Sequence, residues 1–137
     1  MKVDKMPSNA HEFSKVWKTV LATAADRYRF LLRTGSQRLG QIFHNEISFG
    51  LLGEIITVLS SEFSEEDSSE LLAMLHVLST TNRFSLSLQF LDKSERHACS
   101  QLLQQLHQAF IRHTDEASQQ SLNAVNRLMS VYGCDFS

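Results

Sequence analysis

The stretch "TNRFSLSLQFLDKSE", residues 81–95, decides whether this chain contains β-structure. Apolar and polar residues alternate from Phe84 to Phe90, which is the period of a half-buried strand. A strand needs a paired neighbour, and no other segment of the chain alternates in this way. Phe84, Leu88 and Leu91 also lie at positions i, i+4 and i+7, which is the spacing of one face of a helix. We therefore predict a short helix here and an all-α fold.

The predicted helix leaves two apolar residues, Leu86 and Phe90, outside its core-facing stripe. Both lie within a few residues of Arg83 in the sequence. A surplus of apolar side chains is expected when a short helix faces the core on one side and a partner on another. The surplus is also the reason why the stretch resembles a strand.

Upstream of this stretch, apolar residues at steps of three and four predict amphipathic helices. The first contains the apolar stripe between Phe13 and Leu21, with Ser8 as its cap. Asp26 is predicted to cap the second helix, which Gly35 would end in the left-handed conformation that glycine adopts easily. A short helix is predicted over residues 36–43. The first third of the chain is thus predicted to be helical throughout.

Residues 48–63 predict a further helix, capped by Ser48. Gly50 and Gly53 lower helix propensity, so they indicate a helix end or a close backbone crossing. The acidic run at residues 64–67, "SEED", resembles a capping box and predicts the start of the next helix. That helix is apolar around most of its circumference, which predicts a central position in the fold.

Two more helices are predicted downstream. The sequence "DKSE" from Asp92 to Glu95 is typical of a helix start, and a long surface helix follows, with an apolar stripe through residues 98–111. After a polar break at residues 114–120, residues 121–133 predict a last helix that ends at Gly133. Its narrow apolar seam could pack on the core or accept a partner helix.

Composition places the chain among single-domain proteins. Its 137 residues are enough for one core and too few for two ordinary domains. A net charge of -2 with mixed signs argues against nucleic acid and against an anionic membrane surface, and no apolar run is long enough to span a bilayer. We predict a flexible lead over residues 1–7, without the character of a signal peptide, a helical docking domain over 8–114 and a C-terminal helical segment over 115–137.

Signals for catalysis or metal binding are weak in this sequence. The six histidines are scattered, and no spacing typical of a zinc or calcium site accompanies them. Cys99 and Cys134 do not form a disulfide framework, so a reduced compartment is the simpler interpretation. A thiol-dependent enzyme that uses Cys99 is an unfavoured alternative. We therefore expect no enzyme activity, no cofactor and no metal.

Three phrases give the sequence a family resemblance. "RLGQIF" at residues 38–43, "SFGLLGE" at 48–54 and "RFSLSL" at 83–88 resemble the C-terminal domain family of RNA polymerase II-associated protein 3, in the same order and at similar spacing. The resemblance covers roughly residues 11–107 and is strongest to a coiled-coil-containing member that acts in assembly of the dynein arms of motile cilia. It implies a compact superhelical bundle of about six to eight short helices.

The resemblance also implies a function. Domains of this family are docking modules, and in one member the domain binds a RuvB-like AAA+ ATPase as part of a co-chaperone of the 90-kDa heat-shock chaperone. For this chain it implies a non-catalytic interaction domain of a dynein-arm assembly factor, located in the cytoplasm and in the axoneme of the cilium or flagellum. The resemblance implies Arg83, Phe84 and Leu86 as partner-binding residues, and we add Phe90 because it is surplus to the core-facing stripe.

Alternatives to this interpretation stay open at the level of sequence. Arg83 could instead end the preceding helix by satisfying its free carbonyls, and Phe84 could belong to the core. The domain could also be a structural element that self-associates or contacts axonemal dynein or tubulin through residues 115–137. A homo-oligomer formed through regions outside this domain would be compatible with either function.

Overall fold

A computed structural model describes residues 6–134 of the chain. Within that range it contains seven α-helices and no strand, so the predicted all-α fold is confirmed and the helix number lies in the predicted range. The helices are α1 (Ala10–Thr19), α2 (Ala24–Ile42), α3 (Leu51–Ser61), α4 (Ser68–Ser79), α5 (Phe84–Gln89), α6 (Lys93–Ile111) and α7 (Glu116–Val131). The stretch that alternates like a strand is therefore the short helix α5.

The first helix is capped one residue later than the sequence predicts. The side chain of Asn9, and not that of Ser8, accepts a hydrogen bond from the backbone N–H of Glu12, at 2.8 Å. Ser8 instead donates its backbone N–H to the Glu12 carboxylate at 3.0 Å. Two adjacent residues are competent caps, and only the extended backbone of Asn9 aims its side chain at the free N–H groups.

The second helix is interrupted where the sequence predicts it to end. Gly35 has φ 80° and ψ 158°, so it breaks the helical path, although its ψ is extended instead of left-handed helical. The chain resumes its helix at Ser36, whose N–H donates to the Glu70 carboxylate of α4 at 2.7 Å. The predicted cap of α2 was wrong, because Thr23 accepts from the N–H of Asp26, at 3.1 Å.

One of the two roles predicted for glycine, a helix end, occurs at the start of α3. Gly50 precedes the helix with φ 81° and ψ −15°, so it marks the helix start and the predicted cap at Ser48 is wrong. Gly53 faces α6 so closely that a Cβ atom would collide with the Glu95 carboxylate. The contact at Gly53 is thus with the end of a flexible side chain and not with the backbone of α6.

The predicted capping box at residues 64–67 is also wrong. Glu65–Asp67 form a 3-10 turn, and the side chain of Ser64 makes no cap bond. Asp67 instead accepts a hydrogen bond from the Tyr28 hydroxyl at 2.8 Å, which ties the turn to α2. The helix that follows, α4, packs against α2, α6 and α7, so its predicted central position is confirmed.

The last two helices pack side by side. Asp92 and Glu95 form the predicted capping box at the start of α6, with bonds of 2.8 and 3.0 Å. Neighbours on two sides, α3 and α7, cover much of α6, so it is less of a surface helix than predicted. Helix α7 begins at Glu116, earlier than predicted, and buries Val125 and Leu128 against the bundle.

An aromatic core cluster fills the space between α1 and α2. It is defined by four side chains that are 0% exposed, namely Phe13, Trp17, Phe30 and Phe43. The ring of Phe13 lies at its centre, with centroid distances of 5.6, 5.2 and 5.0 Å to the other three. Aromatic pairs at such distances add to the free energy of burial, so this cluster is a principal source of stability.

Parts of the predicted chain ends lie outside the described residues. This applies to residues 1–5 of the predicted flexible lead and to residues 135–137 at the other end. Within the lead, Met6 packs half-buried against the core and Pro7 is buried. Across the described range, no helix combines the length and the apolar character that crossing a membrane would require.

Candidate partner-binding surface

The turn between α4 and α5 has an unusual backbone. Arg83 has φ 63° and ψ 21°, and within residues 6–134 it is the one non-glycine residue with a positive φ. A side chain in this left-handed region costs roughly 1 kcal/mol, so the surrounding structure must impose it. Strain of this kind is concentrated at functional sites and sharp turns. Arg83 therefore lies at a position where the backbone has been fixed against its local preference.

Arg83 does not end the preceding helix. The last carbonyls of α4 accept instead from threonine hydroxyls, with Thr80 bonded to Val77 and Thr81 bonded to Leu78, both at 2.7 Å. The interpretation of Arg83 as a helix-ending cation is therefore wrong. Its guanidinium is left to face outward from the turn before α5.

The side chain of Arg83 lies on the surface beside the α2–α3 loop. Its Nη1 atom is 3.6 Å from Oε2 of Glu46, and the two side chains are 71% and 64% exposed. The backbone N–H of Asn82 donates to the carbonyl of His44 at 3.1 Å, which joins the turn to the same loop. An ion pair this exposed contributes little to stability, so the guanidinium remains available to a partner.

Phe84 is the buried residue of α5. Its side chain is 8% exposed and packs edge-on against the ring of Tyr132 at a centroid distance of 5.1 Å. The position agrees with the alternative in which Phe84 belongs to the core. Because Phe84 begins α5, its burial fixes the N-terminal end of this short helix on the bundle.

Leu86 in α5 and Phe90, which caps the end of α5, lie on the outer side of this helix. They are 47% and 54% exposed, and their i, i+4 spacing places them one turn apart on the same side. Phe49, in the loop before α3, is 80% exposed and packs edge-on against Phe90, with ring centroids 4.9 Å apart. We call these three residues, Phe49, Leu86 and Phe90, the aromatic patch.

The C-terminal end of α5 is held by α6. Arg96 donates from Nε to the carbonyl of Leu91 at 3.1 Å and from Nη2 to that of Leu88 at 3.3 Å. The carbonyl of Leu88 also accepts from the backbone N–H of Leu91 at 3.2 Å, so the guanidinium adds to the bonds that close this end of the helix. With Phe84 buried at one end and Arg96 bonded at the other, α5 presents the aromatic patch on a fixed support.

The same part of the chain carries the family relationship. The family described as "Potential Monad-binding region of RPAP3" matches residues 6–96, which contain α1 to α5 and the whole aromatic patch. The chain belongs to this family. The resemblance drawn from three short phrases of the sequence is thereby confirmed.

The chain is also similar to proteins named as dynein axonemal assembly factors. "Dynein axonemal assembly factor 19" of Mus musculus is 37% identical over 100 residues, which cover 73% of this chain and 42% of that protein. The protein of the same name from Xenopus tropicalis is 34% identical over 126 residues, which cover 92% of this chain and 55% of that protein. The chain thus spans about half the length of these curated relatives.

A solved structure shares the fold. The NMR structure of the C-terminal domain of the human RPAP3 protein superposes with a TM-score of 0.72, covering 91% of this chain and 92% of that one. The two sequences are 14% identical, so the likeness concerns the fold and not the residues of the surface. The family membership therefore rests on the sequence match, and the solved structure supports the helical architecture.

Sequence reasoning missed two residues that complete the surface, Phe49 and Glu46. Both lie in the loop before α3, where no helical stripe selects them. A weak signal for Phe49 is its position next to Gly50, outside the apolar face of α3. Its contact with Phe90 joins segments far apart in the sequence, and no local pattern encodes that pairing.

The described residues give little support to metal or small-molecule chemistry. In residues 6–134, no three His, Cys, Asp or Glu side chains come together as a metal site would require. A groove of about 740 Å³ runs beside α6 and α7, and its lining combines glutamines such as Gln104 with His107 and with charged and apolar side chains. Two charged residues of the same lining, Glu65 and Arg112, pair with each other at 2.6 Å.

Proposed function

We propose that this chain is a non-catalytic docking domain that binds a protein partner through the aromatic patch and Arg83. The observation that supports this most directly is the exposed contact between Phe49 and Phe90. Large aromatic side chains rarely remain in water without a function when they gather on one surface. A partner that covers these side chains would remove their apolar surface from water, and this burial favours binding.

The chemistry of the surface fits a protein interface. Aromatic and arginine side chains are enriched among the residues that contribute most to protein binding, and Leu86 would add apolar area beside them. The neighbouring charges of Arg83 and Glu46 have opposite signs, so they can set the orientation of a partner. The proposed interface therefore has an apolar centre and a charged edge.

The support beneath the surface favours tight binding. Phe84 and Arg96 hold the two ends of α5, so the exposed side chains need little ordering when a partner binds. A surface that is already in its bound form loses less entropy on association. The left-handed backbone of Arg83 contributes to the same fixed geometry.

We propose a RuvB-like AAA+ ATPase as the partner, and assembly of axonemal dynein arms as the setting. Support for the setting comes from relatives named dynein axonemal assembly factor 19, including one in Xenopus tropicalis. The family description, a potential Monad-binding region of RPAP3, supports protein docking in general. The proposal places the chain in the cytoplasm and at the axoneme of the cilium or flagellum.

The test is a binding titration of the chain with a RuvB-like ATPase, using two variants of the surface. Leu86→Ala removes an exposed apolar side chain, and Arg83→Gly removes the guanidinium while accepting the same backbone conformation. Each is expected to weaken binding about tenfold or more, which is roughly 1.4 kcal/mol. The melting temperatures of both variants should equal or exceed that of the parent chain, because neither change disturbs the core.

The matched control is Ile111→Ala. Ile111 is 52% exposed, close to the 47% of Leu86, but it lies at the far end of α6, about 22 Å along the helix from Arg96. The control should bind like the parent chain. Equal affinities for the parent and both surface variants would overturn the proposed surface, and an ATPase that fails to bind the parent, while Monad binds, would overturn the choice of partner.

A further inference from the structure

The two cysteines of the chain meet across the α6–α7 interface. The Sγ atom of Cys134 lies 3.5 Å from that of Cys99, although the residues are far apart in the sequence. Both are free thiols. Cys99 is 1% exposed within α6, whereas Cys134 follows the end of α7 and is only half-buried. One thiol of the pair is therefore open to a reagent from solution, and the other is sheltered directly behind it.

We propose that Cys99 and Cys134 form a reversible oxidation site, at which a hydroperoxide closes a disulfide that fastens the end of α7 to α6. The sulfur atoms need to approach by about 1.5 Å to reach the length of a disulfide bond. The N–H of Cys134 donates to the carbonyl of Met129 at 2.8 Å, which anchors the backbone of Cys134 to the end of α7. Rotation of the Cys134 side chain supplies the remaining movement.

The local environment assigns different roles to the two thiols. When Cys134 is ionised, the Cys99 thiol can donate a hydrogen bond to its thiolate, and this bond, with help from Ser100 and Arg96, lowers the pKa of Cys134 from 9.0 to about 7. The same hydrogen bond and burial raise the pKa of Cys99. Cys134 therefore ionises first and is the nucleophile, since the thiolate is the reactive form. Cys99 keeps its proton until the second step.

The reaction balances in two steps with hydrogen peroxide as oxidant. The Cys134 thiolate attacks one peroxide oxygen, the O–O bond breaks, and with one proton the products are a sulfenic acid and water. The Cys99 sulfur then attacks the Cys134 sulfur, the S–O bond breaks, and the Cys99 proton leaves with the hydroxide as a second water. Two thiols are oxidised to one disulfide while one peroxide is reduced.

The disulfide would act on the support of α5. Tyr132, two residues before Cys134, packs against Phe84 and donates its hydroxyl to the carbonyl of Leu75 at 2.7 Å. The C-terminal end of α7 could otherwise separate from the bundle. A covalent link at Cys134 would keep this end, and with it Tyr132, in place. The link also restricts the conformations of the unfolded chain and so lowers its entropy. We therefore expect oxidation to raise the melting temperature by on the order of 10 °C.

The experiment treats the reduced chain with hydrogen peroxide and then measures its intact mass under denaturing conditions. The expected product is a monomer that has lost two hydrogen atoms, takes up no alkylating reagent and melts at the higher temperature. Dithiothreitol should restore both thiols and the original melting temperature. Cys134→Ser is the control, and its melting temperature should not rise after the same treatment.

Several outcomes would overturn the proposal. A disulfide-linked dimer would show that Cys134 reacts between molecules, and a Cys134 sulfinic acid with an alkylatable Cys99 would show that the second step does not occur. A parent chain that keeps both thiols free after treatment would exclude the site altogether. A disulfide that forms without a rise in melting temperature would overturn the proposed fastening of α7.

The pH dependence of alkylation gives an independent check. Only the thiolate reacts, and a lowered pKa means that Cys134 is already ionised at lower pH. The rate of Cys134 alkylation should therefore rise with pH and reach half its maximum near pH 7. In Cys99→Ala, which lacks the hydrogen-bond donor, the midpoint should move up towards the ordinary thiol value. A midpoint near 9.0 in the folded parent chain would contradict the assigned role of Cys134.

Discussion

Two aromatic contacts in this molecule have nearly the same geometry and opposite surroundings. Phe13 and Phe43 pack edge-on in the aromatic core cluster, with ring centroids 5.0 Å apart and planes at 79°. Phe49 and Phe90 pack edge-on at 4.9 Å and 68° in the aromatic patch. The first two rings are 0% exposed, whereas the second two are 80% and 54% exposed. Contact geometry alone therefore does not reveal what a pair of rings contributes.

The difference lies in the water that each pair displaces. A ring buried on all sides gains roughly 25 cal/mol for each Å² of apolar surface removed from water, in addition to its contact with other rings. The exposed pair removes only the small area where Phe49 and Phe90 touch. Most of its apolar surface is left for a partner to cover. The buried pair therefore stabilises the fold, whereas the exposed pair can stabilise a complex.

The largest effect is expected in the core. Phe13→Ala removes the ring that contacts Trp17, Phe30 and Phe43 together, so it should lower the free energy of unfolding by about 3–5 kcal/mol. Urea denaturation followed by the fluorescence of Trp17 gives this value. A loss below about 1 kcal/mol would mean that the core can close around the cavity, and would weaken the contrast with the exposed pair.

Phe84→Ala tests the boundary between the two regions. Its ring is buried against Tyr132 but belongs to the short helix that bears the aromatic patch. We expect a loss of about 2–3 kcal/mol, less than in the core, because the site lies at the edge of the bundle and can relax. Phe90→Ala serves as the control on the same helix and should change stability by less than about 0.5 kcal/mol. Equal losses for the two variants would contradict the assignment of opposite faces to α5.

A smaller effect is expected at the start of α6. Asp92→Ala removes the capping box next to α5, so the free energy of unfolding should fall by about 1 kcal/mol. Ser64→Ala is the matched control, since the Ser64 side chain makes no cap bond and its loss should cost less than about 0.5 kcal/mol. Thermal melts of both variants compare them directly. If Ser64→Ala cost as much as Asp92→Ala, the capping assignments from the structure would be wrong.

The helices could be predicted from the sequence, but most of their exact starts could not. Spacings of three and four reveal a helix because burial selects apolar residues on one face. Caps are harder, since Ser8 and Asn9 are both competent, and the backbone angles of the folded chain decide between them. The capping box of Asp92 and Glu95 was predictable because both of its members lie within one turn.

The aromatic patch was predictable only in part, for a related reason. Leu86 and Phe90 could be found because they do not fit the core-facing stripe of their own helix. Phe49 and the pairing of Cys99 with Cys134 depend on contacts between segments that are distant in the sequence. Such contacts are set by helix packing, which no local spacing encodes. The sequence therefore indicated that α5 has an exposed apolar side. It did not reveal that Phe49, from another segment, lies against that side.

The double variant Phe49→Ala, Phe90→Ala shows whether the aromatic patch serves binding and not folding, when unfolding and ATPase binding are measured on the same preparation. We expect a change in unfolding free energy below about 1 kcal/mol together with at least a roughly tenfold loss of affinity. Ile111→Ala, which removes an apolar side chain of similar exposure outside the patch, should leave both quantities unchanged. A double variant that binds like the parent chain, or that unfolds as easily as Phe13→Ala, would contradict the assignment of the aromatic patch to partner binding.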